Sequence, residues 1–488
     1  VNNIFGVDIN EESTAITKLS LFLTMTAPNK KPLDLSTNIK VGNSLIEDKI
    51  VDERAFDWNK EFFDVLKGKK FDIVIGNPPY FNIKSHDVLK NSPDFKKLSN
   101  GVVNAASLFL KRGIDLLAEN GYLGFIIPKS FLIVVSWAPI RNFILENSLI
   151  SVCDVSMAFE EVGLEQVIII VRKRNENAKT KILVNFQEIN KIPQEFFIER
   201  GLILTSLDKE KFTLVKKIEN DSIKLESISE MPRGITVKSS EYCNEQKSGL
   251  VQVLGGTNVE RFLIKDGNKR KPNRYLKTND IRIKQKKKKV FENERIIYQN
   301  IASSVPKIVS TLGNPSIPTD DTLNNLIITD ENYPYEYVLA VLNSKLITFY
   351  LRYAIINNSK LTIHLDKPYL GRIPIKPTNK KNEIIKMVQS ILKNKKIIDE
   401  KTKKFFNRLQ ESFHDLTISK RMESFYELKN SDFLNELEKT SGKKLKLEEK
   451  DEWEEYFESY KAKLSNIAST TVEDLEKLDQ MIFEIYNI

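Results

Sequence analysis

Four consecutive residues carry the clearest chemical signal in the sequence, and they read Asn77-Pro78-Pro79-Tyr80. They follow the apolar run Phe71–Gly76, so they lie where a predicted buried strand meets a loop, which is where ligands bind in open α/β sheets. Two consecutive prolines keep this loop extended and remove two N–H donors. The Asn77 amide oxygen and the Pro78 carbonyl can then both face outward as hydrogen-bond acceptors, beside the flat ring of Tyr80.

Two acceptors beside an aromatic ring suit a planar group that bears an NH2. The nitrogen of such a group is a poor nucleophile because its lone pair is delocalised. Acceptors that hold both hydrogens favour a pyramidal nitrogen and expose its lone pair. Since Asn is no strong base, catalysis would be electrostatic and geometric, with the proton lost during or after transfer. Stacking of about 1–3 kcal/mol per base and hydrogen bonds of about 1 kcal/mol each are of the order needed to offset base flipping. The alternative is that the four residues form only a structural turn.

The apolar pattern of residues 1–205 predicts the elements that position this motif. Short apolar runs alternate with stretches of helical spacing, which is typical of a doubly wound α/β domain. The predicted strands are Ile4–Ile9, Ile39–Val41, Phe71–Ile75, Tyr122–Ile127 and Val167–Val171, and the predicted helices are Glu11–Thr26 and Ala105–Glu119. The last strand is a continuous β-branched run, which is typical of a strand buried on both faces in a parallel sheet.

The composition limits the classes of protein and of site. The chain has 488 residues, a net charge of +9, two cysteines and three histidines. Cys153 and Cys243 are too few for a disulfide framework or a four-cysteine zinc site, and the histidines lie far apart, so no metal site is expected. This usage suits a reducing cytoplasm, and no apolar run approaches the roughly 20 residues of a membrane span. We therefore expect a cytoplasmic protein with no membrane partner.

The motif and its neighbours resemble a known family. Asn77-Pro78-Pro79-Tyr80 after an apolar strand is similar to the catalytic motif of S-adenosylmethionine-dependent amino-methyltransferases, especially DNA adenine methyltransferases. Gly6-Val7-Asp8-Ile9 resembles the second cofactor motif, whose acidic residue binds the ribose hydroxyls. Gly42-Asn43-Ser44-Leu45 resembles the third, whose polar residue contacts the cofactor adenine. The resemblance implies a Rossmann-like domain over residues 1–205, with Asn77, Pro78, Pro79 and Tyr80 catalytic and Asp8, Ile9 and Asn43 binding S-adenosylmethionine.

Further motifs follow in the family's order. Ala105–Phe109 resembles the helix of the fifth motif, and Gly121–Pro128 is similar to the sixth. Phe159-Glu160-Glu161-Val162, before the strand Val167–Val171, looks like the eighth, whose aromatic residue packs against the flipped base. The resemblance therefore implies that Phe109 contacts the cofactor and that Phe159 faces Tyr80 across an adenine. For either phenylalanine, and for Asp8 as a helix N-cap or Asn43 as a turn residue, the alternative is a purely structural role.

The second half resembles a target-recognition domain. Its landmarks are Met231–Ile235, Val253–Thr257, Val341–Leu346 and Gly371–Ile375. This arrangement is similar to the methylation and specificity parts of type IIG restriction-modification enzymes, which implies methylation of the exocyclic N6 amine of adenine in double-stranded DNA. We expect an α+β target-recognition domain over residues 206–395 and a C-terminal helical region over 396–488.

One stretch of this predicted domain is densely basic. Residues 261–289 hold thirteen Lys and Arg against Asp266 and Asp280, with Phe262 and Tyr275 among them. Contacts to phosphates need clustered cations, although such runs are also common in solvated loops. The predicted DNA-binding residues are Lys269, Arg270, Lys271, Arg274, Arg282 and Lys284.

The sequence departs from the family at its start. The first, glycine-rich cofactor motif should precede Asp8, and a type IIG nuclease should lie further upstream; neither is in this chain. The chain also lacks an initiator Met and opens inside a predicted strand. We expect it to be part of a longer protein, with a cofactor-motif segment and a possible nuclease upstream or in another chain, and Mg2+ only if that nuclease exists.

Two other functions stay open. The same motif occurs in methyltransferases that act on RNA guanines or on protein glutamine, whose substrates also present planar amines. Without the glycine-rich motif, the chain could instead be a non-catalytic DNA-specificity module.

Overall fold

The computed structural model describes residues 3–25, 34–159, 163–174, 176, 179–267, 272–302, 306–413 and 416–488. The chain divides into two compact units, Val1–Lys211 with Asn357–Ser359, and Phe212–Ile356 with Lys360–Ile488. The predicted boundaries at 205 and 395 stay predictions, and the helix Lys381–Ser412 runs through the second of them.

The first unit has the alternating elements that the apolar pattern predicts. Its strands are β1 Gly6–Asp8, β2 Ile39–Val41, β3 Phe71–Gly76, β4 Leu117–Pro128, β5 Ser148–Ser156, β6 Gln166–Arg172, β7 Lys179–Val184 and β8 Gln187–Pro193. Its helices are α1 Glu11–Met25, α2 Trp58–Glu61, α3 Phe63–Leu66, α4 Phe95–Leu98, α5 Ala105–Leu116, α6 Ala138–Leu145, α7 Gln194–Arg200 and the start of α8, Lys209–Glu219. The mixed α/β class is thus confirmed.

The main sheet has six strands in the order β3-β4-β6-β5-β7-β8, and β1 and β2 form a separate parallel pair. Strand β3 pairs parallel with β4, so the loops after both strands leave the same edge of the sheet. Strand β6, which holds the β-branched run, is antiparallel to both β4 and β5. The prediction of a parallel, doubly buried strand was wrong here. Its residues alternate between buried and half-buried, and an apolar run does not encode strand direction.

Helix α5 shows how local sequence sets an element next to the motif. The Asn104 side chain accepts a hydrogen bond from the Ala106 N–H (3.1 Å), which satisfies an otherwise unpaired donor at the helix start. Leu108, Leu110 and Ile114 are buried, and the helix packs on β3 and β4. The helix ends at Leu116 rather than at the predicted Glu119, because β4 begins at Leu117.

The second unit mixes short strands with longer helices. Its strands are β9 Ile223–Lys224, β10 Ser229–Glu230, β11 Leu250–Val253, β12 Val259–Glu260, β13 Leu263–Ile264, β14 Arg274–Lys277, β15 Arg295–Gln299, β16 Ile301–Ala302, β17 Ser310–Gly313, β18 Leu323–Ile328, β19 Ile363–His364 and β20 Pro374–Ile375. Its helices are α9 Ile281–Lys286, α10 Tyr335–Asn343, α11 Lys345–Tyr350, α12 Lys367–Leu370, α13 Lys381–Ser412, α14 Asn430–Ser441 and α15 Leu447–Ile485. Strands β10, β18, β15 and β17 form an antiparallel sheet, and an aromatic cluster centred on Phe405 and Phe425 packs the final helices.

The backbone of Thr319 and Asp320 links two of the predicted recognition-domain landmarks. Asp320 is 2% exposed, and its backbone N–H donates to the Leu254 carbonyl (2.8 Å). On the other side, Ile235 donates to the carbonyl of Thr319 (2.8 Å). A Cβ at Gly234 would overlap the Asp320 backbone carbonyl, so the 231–235 landmark needs glycine for this close approach.

In the described part of the chain, no single helix has the length and apolar character of a membrane span. One bent pair, Tyr335–Asn343 with Lys345–Ile355, meets that criterion only when its two halves are taken together.

Two glycine variants should differ in stability because they meet different atoms. In Gly234→Ala the new methyl would overlap backbone atoms of Asp320, whereas in Gly255→Ala it would overlap the end of the Arg274 side chain, which can shift while it keeps its ion pair with Asp320. We expect Gly234→Ala to lower the free energy of unfolding by more than about 2 kcal/mol, and Gly255→Ala by about half of that or less.

Urea unfolding followed by circular dichroism measures both variants. Gly68→Ala is the control, since no atom lies within 4 Å of its added Cβ. Equal losses for Gly234→Ala and Gly255→Ala would contradict the argument.

Candidate active site

A cavity of about 1500 Å3 opens in the first unit at the carboxyl ends of β1, β2 and β3. Every residue that the sequence analysis assigned to catalysis, to the base or to the cofactor lines it. These residues are Asp8, Ile9, Asn43, Asn77, Pro78, Pro79, Tyr80, Phe109 and Phe159. Residues separated by up to 151 positions thus share one concave surface, as expected where strand ends meet in an α/β sheet.

Hydrogen bonds fix the ring of Tyr80 against the sheet. Its hydroxyl lies 2.7 Å from Asn77 Oδ1 and 3.0 Å from the carbonyl oxygen of Ile126 in β4. A hydroxyl has one proton, so it donates to one of these acceptors at a time. Burial raises the pKa of Tyr80, so the phenol stays a neutral donor at physiological pH. Asn77 is exposed, and its amide oxygen has a second lone pair for a ligand.

Asp8 presents a carboxylate to the cavity. One of its oxygens accepts a hydrogen bond from the Asn10 N–H (2.7 Å). The N-cap of α1 comes from Asn10, whose Oδ1 accepts from the Ser13 N–H (2.9 Å), so Asp8 does not cap that helix. Among the described residues, no donor is bonded to the other Asp8 oxygen, which leaves it for a ligand hydroxyl.

The side chain of Asn43 forms its hydrogen bonds within its own loop. The side chain is 5% exposed, and its Nδ2 donates to Asp52 Oδ2 (2.8 Å) while its Oδ1 accepts from the Leu45 N–H (3.2 Å). The Asn43 amide is the largest cause that lowers the pKa of Asp52. Sequence reasoning missed Asp52, because a carboxylate nine positions along a loop has no periodic signature. A contact of Asn43 with the cofactor adenine stays a prediction.

Two phenylalanines form apolar walls of the cavity. Phe109 is half-buried between the fully buried Leu108 and Leu110, and its ring lines the cavity. Phe159 is 38% exposed, and the preceding residue, Ala158, donates its N–H to Gln166 Oε1 (2.8 Å). The rest of the predicted eighth motif, 160–162, lies outside the described residues.

Comparison with known families finds matches for three segments of the chain. Residues 2–158 match the Eco57I restriction-modification methylase family, residues 251–375 match the TaqI-like C-terminal specificity domain, and residues 377–482 match a domain of unknown function, DUF8810. The first segment is thus similar to a restriction-modification methylase, and the second is similar to a TaqI-like specificity domain.

Individual relatives agree with this assignment. The chain is 29% identical over 243 residues to the type II restriction enzyme and methyltransferase RM.Eco57I of Escherichia coli, a match that covers 46% of this chain and 24% of the relative. It is 26% identical over 230 residues to the type II methyltransferase M.AccI of Acinetobacter calcoaceticus, covering 39% of this chain and 42% of the relative. The chain therefore spans less than half the length of either relative. A structure of the type IIL restriction-modification enzyme MmeI in complex with DNA aligns with a TM-score of 0.46 and 13% identity, over 96% of this chain and 67% of that one.

Two predicted DNA-binding arginines in the segment that matches the specificity domain have partners inside the protein. Arg274 donates to Asp320 Oδ2 (2.5 Å), and its guanidinium lies 4.7 Å from the centre of the Tyr242 ring. Arg282 pairs with Asp280 (2.8 Å) and Glu241 (3.0 Å). Both guanidinium charges are thus largely neutralised by carboxylates.

Lysines near these arginines differ in how they are engaged. Lys286 donates to the backbone carbonyls of Arg233 and Gly234 (2.6 and 2.8 Å). Lys284 is exposed, and none of the ion pairs between described residues involves its ammonium group. Lys269, Arg270 and Lys271 lie outside the described residues. Among the predicted contacts in the described structure, Lys284 is therefore the one whose ammonium group is available to bind a phosphate.

Asn43→Asp should destabilise the first unit in a pH-dependent way. In the native chain the folded pKa of Asp52 is lowered, so its stabilising effect is present at neutral pH and is lost as pH falls through that pKa. In the variant two carboxylates face each other, so one pKa rises above its unfolded value. We expect a loss of about 1.5–3 kcal/mol at pH 7.5 that shrinks as pH falls toward 5.

Urea unfolding between pH 5 and 8 tests this expectation. Asn43→Ala is the control, because it removes the hydrogen bond without adding a carboxylate, and its loss should vary little over this range. A deficit of Asn43→Asp that grows on acidification would contradict the assigned contact.

Proposed function

We propose that the protein is a site-specific adenine methyltransferase of DNA, and that it is part of a type IIG restriction-modification enzyme. It would transfer a methyl group from S-adenosylmethionine to the exocyclic N6 amine of a flipped adenine. One observation carries the proposal: Asn77 and Tyr80 share a cavity with Asp8 and Phe109 in a methylase segment that precedes a specificity domain.

The proposed mechanism assigns electrostatic and geometric roles to the motif. Asn77 Oδ1 and the Pro78 carbonyl accept hydrogen bonds from the two N–H groups of the amine, and they direct the nitrogen lone pair toward the methyl donor. Asn77, Pro78 and Pro79 include no strong base. The amine therefore loses its proton to solvent during or after methyl transfer. Tyr80 and Phe159 hold the adenine ring between them, and this stacking contributes about 1–3 kcal/mol against the cost of flipping.

The cavity offers a hydrogen-bond acceptor, an apolar surface and enough space for S-adenosylmethionine. The available Asp8 oxygen suits the ribose hydroxyls, and Phe109 offers a flat apolar surface. When bound, the cofactor supplies an electrophilic methyl group on a sulfonium. At about 1500 Å3 the cavity exceeds the roughly 300–1000 Å3 of typical ligand pockets, so part of its wall is open.

The open wall supports the proposal of a further, preceding segment. In the described part of the chain β3 pairs only with β4, and β1 only with β2. Ile73 and Ile75 of β3 are 65% and 79% exposed, although this strand has the sequence of a buried one. A segment that carries the glycine-rich cofactor motif would cover this edge and complete the cofactor site. Mg2+ would be needed only by a nuclease attached to that segment.

We also propose that the protein acts in the cytoplasm. Both Cys153 and Cys243 are free thiols, which suits a reducing compartment.

Two alternative functions can be distinguished from this proposal by experiment. The same pocket chemistry would suit a planar amine on RNA or on protein glutamine. The open edge of β3 favours a second candidate, a DNA-specificity module that requires another segment for catalysis.

Asn77→Ala should abolish methyl transfer while the fold is retained. Asn77 is exposed and the variant loses one acceptor for the amine, so we expect kcat to fall by about 100-fold or more with an unchanged melting curve. The measurement is transfer of labelled methyl from S-adenosylmethionine to unmethylated duplex DNA, with and without a preceding segment. Exposed Asn59→Ala is the matched control.

The substrate panel decides between the candidates. Labelled adenine that disappears in Asn77→Ala supports the proposal. Label on RNA or on a glutamine peptide, with none on DNA, would support methylation of an amine but contradict DNA as the substrate. DNA binding without any label, even with the preceding segment present, would favour the specificity module.

Lys284→Gln and Arg282→Gln should affect DNA binding differently. Lys284 has an exposed ammonium, so its loss should lower the slope of log affinity against log salt by about 1. Arg282 is already neutralised by Asp280 and Glu241, so Arg282→Gln should leave the slope unchanged. Fluorescence anisotropy with labelled duplex DNA across salt concentrations measures both. A larger slope change for Arg282→Gln would reverse the assignment.

A further inference from the structure

A buried charge cluster lies directly beyond the end of β4. The Lys129 ammonium is 2.8 Å from Asp154 Oδ2 and 3.2 Å from Glu165 Oε1. The three side chains are between 5% and 11% exposed. Hydroxyls add to the network, since Thr205 Oγ1 lies 3.4 Å from Asp154 Oδ2 and Ser359 Oγ donates to Glu165 Oε2 (3.0 Å).

This cluster fastens both ends of one loop, residues 157–165, which connects β5 to β6. At its first end, Asp154 Oδ1 accepts from the Ser156 N–H (3.0 Å). At its last end, the Lys129 N–H donates to the Glu165 carbonyl (2.8 Å). The loop carries Phe159, so the Lys129 backbone and side chain together determine where the Phe159 segment leaves the sheet.

The opposite wall of the proposed base pocket is fixed by the same strand. The Tyr80 hydroxyl lies 3.0 Å from the Ile126 carbonyl, only three residues before Lys129. The positions of both rings are therefore set by the last residues of β4 and the residue that follows. A buried ion pair contributes little net stability compared with apolar side chains of similar size, but it demands a specific geometry.

We propose that Lys129 is a positioning residue, which holds Phe159 opposite Tyr80 and so sets the width of the base pocket. This inference rests on the proposed function. Lys129 touches neither base nor cofactor in this scheme, and it acts through Asp154, Glu165 and the loop between them.

A double-mutant cycle in the full-length protein tests whether Lys129 acts through Phe159. The variants are Lys129→Met, Phe159→Ala and the double variant, assayed for labelled methyl transfer to duplex DNA. We expect Lys129→Met to lower kcat about tenfold with an unchanged KM for S-adenosylmethionine, and Phe159→Ala to lower kcat more. The double variant should match Phe159→Ala within about twofold, because a ring that is absent cannot be misplaced.

Two further variants separate positioning from folding. Lys129→Met removes the ammonium that two buried carboxylates share, so Lys129→Met/Asp154→Asn/Glu165→Gln also removes the charges of both carboxylates. This triple variant should melt close to the wild type and still show the lowered kcat. Arg172→Met is the control, because Arg172 lies at the other end of β6, where it pairs with Glu176. Its kcat should equal that of the wild type.

Cleavage after Phe159 by chymotrypsin gives a readout that does not depend on activity. Lys129→Met should be cut there about fivefold faster than the wild type, since the backbone at Phe159 is held less firmly without the Lys129 contacts. Faster cleavage with an inactive wild type would leave the loop role standing and refute the proposed function instead. Losses of kcat that multiply in the double variant, or cleavage and kcat unchanged in Lys129→Met, would overturn the proposal.

Discussion

The parallel pairing of β3 with β4 is the constraint on which the rest of the first unit depends. In this register Gly76 lies beside Phe125, so the residues after each strand leave the sheet side by side. The Asn77–Tyr80 motif therefore emerges next to Ile126, whose carbonyl lies within hydrogen-bond distance of the Tyr80 hydroxyl. A slip of one residue would move the apolar side chains of β3 to the other face and separate the motif from its partner.

In the second unit, the backbone of Thr319 and Asp320 has a comparable role. It is hydrogen-bonded to Ile235 on one side and to Leu254 on the other, and the Asp320 carboxylate also binds Arg274. Ile235 and Leu254, which are 19 positions apart in sequence, are thus held against the same two residues. A buried charge is costly unless it is paired and hydrogen-bonded, so this arrangement ties the local geometry to the presence of its partners.

Much of the fold and of the candidate site could be predicted, because strand ends and turn residues have local signatures. The placement of Asp8, Asn43 and Asn77 around one cavity follows from the rule that ligands bind at the carboxyl ends of strands. The direction of β6 could not be read, because a β-branched run is the same in either direction. The internal partners of Arg274 and Arg282 were missed, since Asp320 and Glu241 lie 46 and 41 positions away in sequence. Charge counts identify a basic stretch but do not show which cations are already paired.

The uncovered edge of β3 also has a consequence for how the polypeptide behaves in solution. Within the described residues, this edge presents unpaired backbone donors and acceptors together with exposed Ile73 and Ile75, and such an edge is a template for strand addition from another molecule. Natural sheets usually protect an edge with a charged side chain, a proline or a bulge. The start of β3 has exposed Asp72 and a register irregularity between Phe71 and Ile73, whereas Ile73–Gly76 has neither a charge nor a proline. At high concentration, self-association through this part of β3 would reduce the amount of monomeric protein, so aggregation would be the first practical limit on work in solution.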